Sequence, residues 1–105
     1  MADLDAGATG TMTSGLACEQ IRPIVTDFLA GDRAKAEAQY NRMLPLINFE
    51  NRQCGLRACK TVMQAGGVIK SDHVRHPLEP LHPQTRDTLL TMARDLDLLA
   101  ARWGK

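Results

Sequence analysis

Cys54, Cys59, His73, His76 and His82 are the residues of this chain whose types suit a metal ion. Structural zinc wants Cys pairs two to four residues apart and a matching second pair. Cys59 instead falls mid-helix on an apolar side, where a free thiol packs as a small hydrophobe. The three histidines stand in a Pro-rich stretch, where solvated or backbone-bonded imidazoles are the plainer reading. No metal site is expected. A Cys–His nucleophile needs a thiol acidified by a nearby cation and presented in a cleft, and the pattern offers neither. Asp27, Glu37, Asp87, Asp95 and Asp97 fall on polar helix faces and read as solvated charge. Arg33, Lys35 and Arg42 alternate with acids, which again describes an exposed face. Gly7-x-x-Gly10 is not a phosphate loop, because no Gly-Lys-Ser/Thr follows. It is not a dinucleotide fingerprint either, lacking the third glycine and the downstream acid. Local motifs therefore name no catalytic residue and no cofactor.

The elements that would position these groups are mainly helical. In Cys18–Ala30 the apolar residues Ile21, Ile24, Val25, Phe28 and Leu29 recur at three- and four-residue spacing. Gly31 stops that helix, and Asp32 caps a second. The second helix has an expected inner stripe of Ala34, Ala38, Met43 or Leu44, and Ile47. Pro45 is expected to kink or end it. A third helix is expected from about Gln53 to Ala65, with Leu56, Cys59, Val62 and Met63 inward and Gly66-Gly67 terminating it. Residues 68–82 carry Pro77 and Pro80 and no helical period, which makes them a wrapped connector. Pro83 opens the last helix at its favoured first-turn position, with Leu89, Leu90, Ala93, Leu96, Leu99, Ala100 and Trp103 on the expected buried face.

The first sixteen residues differ in kind. Ala6–Thr13 is small, β-branched and punctuated by glycine, which suits a short buried strand with hydroxyls at Thr9, Thr11 and Thr13. A lone strand cannot satisfy its own backbone hydrogen bonds, so its partners must come from elsewhere.

Composition narrows the function classes. The 105 residues suffice for one small domain. Thirteen Lys+Arg against twelve Asp+Glu leave a formal charge of +1, which argues against nucleic acid or a membrane surface as partner. Aromatic residues make up 4%, too few for base stacking. No apolar run approaches the roughly 20 residues that cross a bilayer. The acidic start, Asp3 and Asp5, is unlike a signal peptide. Three cysteines do not form a secreted disulfide framework, and a cytoplasmic setting is expected.

Taken in order, the pieces resemble the C-terminal part of the dihydrodipicolinate synthase / N-acetylneuraminate lyase family. Gly7-Ala-Thr-Gly10-Thr-Met-Thr13 resembles that family's last barrel strand. Phe28-Leu-Ala-Gly-Asp-Arg-Ala-Lys-Ala36 resembles its "G-D-x-x-x-A" junction. Leu44-Pro-Leu-Ile-Asn48 resembles its "L-x-P-L" step, and Val74-Arg-His-Pro-Leu78 with Pro80-Leu81 its "R-x-P-L-x-P" connector. Asn48-Phe-Glu-Asn-Arg-Gln53, Gly66-Gly67-Val-Ile-Lys-Ser71 and the closing Arg102-Trp-Gly are similar to the 2-keto-3-deoxy-L-arabonate dehydratase-like branch. The usual synthase has an "N-P-x-P-x-K" stretch where this chain reads Asn51-Arg-Gln-Cys-Gly-Leu-Arg57, a departure from the lysine-pathway activity.

The resemblance implies an α/β parent, a (β/α)8 TIM barrel, of which this chain is the mainly helical C-terminal part with one short N-terminal strand. Residues 1–31 would be the last barrel strand and helix, and residues 32–105 the C-terminal helical region. It implies class I, Schiff-base chemistry on 2-keto acids, with no added cofactor and commonly a homo-oligomer. The family's imine lysine and proton-shuttling tyrosine fall ahead of Met1, and Lys35, Lys60, Lys70 and Lys105 match neither. One contact carries over, to Met12, which would border the bound keto acid. The expected partners are the rest of the barrel and the 2-keto acid, and the isolated chain is expected to be inactive. Two other readings stay open: a free-standing helical interaction module and a small zinc-binding domain.

Overall fold

Apolar spacing sets the first long helix where the sequence places it. In the computed structural model, which describes residues 1–105, α2 runs Cys18–Leu29 after a short α1 at Ala2–Asp5. Ile21 and Ile24 are buried, and Gly31 follows with φ +87°, a conformation that suits glycine. Asp32 then caps α3, Arg33–Phe49, its carboxylate accepting the Lys35 amide at 3.1 Å.

Pro45 does not end that helix. Met43 and Leu46 on either side of it are buried against the core. Their burial outweighs the about 3 kcal/mol that an interior proline costs. The inner stripe is also rotated from the expected one. Ala36, Met43 and Leu46 are buried with Tyr40 and Ile47 beside them, while Ala34 and Ala38 are exposed. Alanine buries too little surface to set the phase of a helix; the larger side chains set it.

The third helix begins later than expected. Residues Glu50–Cys54 continue α3 as a π-helical turn, and Gly55 breaks the chain with φ +58°. α4 then spans Arg57–Ala65. That break re-phases the segment, so Ala58, Thr61 and Val62 face inward and Leu56 is 67% exposed, against the expectation for Leu56. The connector is irregular as expected. It is pinned by buried Val74, by Arg57 Nη1 donating to the Glu79 carbonyl at 2.9 Å, and by Lys60 Nζ donating to the His73 carbonyl.

α5, Pro83–Asp95, starts on proline and is capped by His82, whose Nδ1 accepts the Gln84 amide at 3.2 Å. The helix stops short of Trp103. Asp97 takes φ +51°, Leu98 is fully buried, and residues Leu99–Ala101 form a 3₁₀ turn. Glu19 Oε1 accepts the Leu99 amide at 2.8 Å, and the Gly104 amide donates to the Gly66 carbonyl at 2.9 Å. The tail is thereby folded back onto the end of α4, leaving Trp103 69% exposed rather than buried.

The expected N-terminal strand is absent, and the chain is all-helical. No other segment is extended in a ladder, so residues 6–13 have no partner for their backbone groups. Residues 8–14 instead run irregularly between two anchors, Leu4 and Leu16, both buried. Arg33 secures the first anchor from outside. It pairs with both oxygens of Asp5, bonds Glu37 at 2.7 Å and lies 5.7 Å from the Phe28 ring centroid. The guanidinium holds the Asp5 carboxyl below the usual carboxylate range. The Cα radius of gyration is 14.7 Å. A compact domain of this length has about 13 Å, so the helices form an open slab.

Candidate functional site

Met12 stands on the rim of a groove of about 610 Å³, between residues 10–14 and the seam of α2 with α3. Ile21, Ile24 and Val25 of α2 and Tyr40 and Ile47 of α3 give this groove an apolar floor. Met12 itself is 98% exposed, because residues 8–14 make no ladder that would turn its side chain inward. Asp3 and Glu50 are the charged residues at the edges, and no Lys, Arg or His lines the groove. It can therefore offer shape and an apolar floor, but no basic side chain for a carboxylate and no lysine for an imine.

The chain's lysines are placed elsewhere. Lys35 pairs with Asp27 at 3.0 Å, Lys60 is spent on the His73 carbonyl, and Lys70 and Lys105 are exposed. Gly7 takes φ +100°, a reason in itself for glycine, whereas a Cβ at Gly10 would meet nothing within 4 Å. The close approach that glycines in a strand serve finds no counterpart within the chain at Gly10.

The cysteine and histidine candidates are dispersed. Cys54 is buried, Cys59 half-buried and Cys18 exposed, and no group of three or more His, Cys, Asp or Glu stands close enough to hold a metal ion. His82 is an N-cap, while His73 and His76 line a second cavity with Arg57, Thr61 and Arg86. The sequence reading missed that grouping. Its signal is the Arg57-x-x-x-Thr61 pair, which sits on one helix face ahead of a His-rich connector.

Burial pushes the thiols of Cys54 and Cys59 up; a neighbouring Arg57 partly offsets this for Cys54. A raised pKa lowers the thiolate fraction at neutral pH and lets it grow as pH rises. Iodoacetamide at pH 7.5 is therefore expected to label Cys18 first, Cys59 next and Cys54 last. Raising the pH speeds the two slower sites, as peptide mass mapping over time would read. Faster labelling of Cys54 than Cys18 in the folded chain contradicts the assigned burial.

Comparison with known proteins supplies what the groove's chemistry does not. The Dihydrodipicolinate synthetase family matches residues 1–96. The chain belongs to that family. It is similar to the L-2-keto-3-deoxyarabonate dehydratase of Azospirillum brasilense, with 52% identity over 104 residues. That match covers 99% of this chain and 34% of the relative, so the chain spans about a third of the length of the curated protein it matches. No helix of the chain is long and apolar enough to cross a membrane.

Proposed function

We propose that this chain is the C-terminal part of a class I, Schiff-base aldolase or dehydratase acting on 2-keto acids, in particular a 2-keto-3-deoxy sugar acid. The observation that carries the reading is the 52% identity to a keto-deoxyarabonate dehydratase, sustained over 99% of the chain. In the complete enzyme residues 1–31 supply the last barrel strand and helix, and residues 32–105 the helical region behind them. Residues 6–13 then gain in a neighbouring strand the backbone partners that the chain by itself does not provide. Such barrels carry their active sites at the C-terminal ends of the strands. Met12 borders the bound keto acid there, shaping the pocket without moving a proton.

The chemistry belongs to the rest of the barrel. A lysine amine condenses with the keto carbon, water leaves, and the protonated imine accepts electrons as a neighbouring bond breaks. The groove of this chain, with an apolar floor and no basic side chain, fits a wall of such a site. The test is complementation in trans. Co-expressed with the first two thirds of the Azospirillum dehydratase, the chain is expected to give a complex that dehydrates L-2-keto-3-deoxyarabonate. A folded, co-purifying complex without turnover would refute the proposal.

A further inference from the structure

The second cavity, about 490 Å³, lies between α4 and the connector and shares no lining residue with the Met12 groove. We infer that this cavity binds a small oxyanion, a carboxylate or a phosphate, held by Arg57 with Thr61, His73 and His76 around it.

Two independent observations carry this. The first is an unmatched cation. Arg57 is half-buried, and its two bonds, at 3.0 Å to the Cys54 carbonyl and 2.9 Å to the Glu79 carbonyl, leave its charge without a carboxylate. A guanidinium presents five N–H donors, more than two carbonyls use. The neighbouring cation Lys60 is likewise spent on a backbone carbonyl, that of His73. Arg86, by contrast, has Asp72 within 4.0 Å and Gln64 at 3.3 Å. The second observation is Thr61. It is the one buried polar residue of the chain, 3% exposed, and it lines this cavity one helical turn beyond Arg57. A hydroxyl and a guanidinium on one helix face, facing two imidazoles, make a donor set for an oxyanion. Glu79 also lines the cavity, and no cation lies within ion-pair distance of its carboxylate. It opposes an anion and thereby sets the sign of one variant.

The test is two-dimensional proton–nitrogen NMR of the 105-residue chain, titrated at constant ionic strength with inorganic phosphate and separately with succinate. Saturable shifts are expected at the Arg57 side-chain Nε–H and the Thr61 and His73 amides, with phosphate, with succinate, or with both. The arm that saturates identifies the source of the oxyanion. Arg57→Gln should weaken that binding about tenfold, the worth of one charge-assisted hydrogen bond. Thr61→Val should weaken it less, and Glu79→Gln should tighten it. Should Arg57→Gln fail to fold, the opposite signs of the other two variants decide. Shifts that never saturate with either anion, that spread equally to the exposed Arg22 and Arg94, or that ignore these variants overturn the inference.

Discussion

Gly66→Ala is expected to destabilise the chain by about 3 kcal/mol, lowering its melting temperature by about 15 °C. Gly66 sits at the end of α4 with ordinary helical dihedrals, φ −80° and ψ −2°, so alanine meets no backbone strain there. The penalty is steric. A Cβ would overlap the Ala100 carbonyl oxygen, and it would lie 2.7 Å from the Ala101 carbonyl carbon and 2.9 Å from the Arg102 nitrogen. All three are backbone atoms, which cannot rotate away as a side chain would. The tail must lift, breaking the 2.9 Å bond from Gly104 and the 2.8 Å bond from Leu99 to Glu19. Gly10→Ala is the matched control, because a Cβ there meets nothing within 4 Å. Its effect should stay within about 0.5 kcal/mol. Thermal melts of the two variants check this; equal melting temperatures would mean the tail does not rest on α4.

Leu16→Ala should cost about 3 kcal/mol, in the range for removing a fully buried leucine. Leu16 is 0% exposed and joins the irregular residues 8–14 to the start of α2. With Leu4 it is one of two apolar anchors holding the N-terminal segment on the core. Its loss should also raise hydrogen exchange over residues 4–16 ahead of α4 and α5, because that segment makes few backbone bonds of its own. A uniform rise over the whole chain would show that the segment unfolds only with everything else.

The helices were legible because their signals are local and redundant. Ile21 and Ile24 fix the face of α2, Asp32 caps α3, and Pro83 opens α5, each by chemistry confined to a few residues. What escaped the sequence depended on distant partners. Pro45 stays helical because Met43 and Leu46 are buried on either side of it. Trp103 is exposed because Glu19 and Gly66 draw the tail onto α4, contacts spanning 80 residues in the first case. The strand at residues 6–13 failed for the same reason in reverse: its pattern is extended, but the chain contains nothing to pair with it. The site was read unevenly. Met12 stands on the rim of a groove with an apolar floor, and its contact with a keto acid rests on the family resemblance alone. The Arg57–Thr61 grouping passed unnoticed, since nothing in the spacing tells that the connector folds over that helix face.

The central claim is that this chain walls a keto-acid site without supplying its amine. Borohydride trapping in the presence of pyruvate tests it most directly, applied to the chain by itself and to the complex with the complementary two thirds of the Azospirillum dehydratase. Mass mapping should find the reduced adduct in the complex, on the complementary piece, with Lys35, Lys60, Lys70 and Lys105 unmodified. A pyruvate adduct on any of those four lysines, at the stoichiometry of the complex or in the chain by itself, would contradict the account.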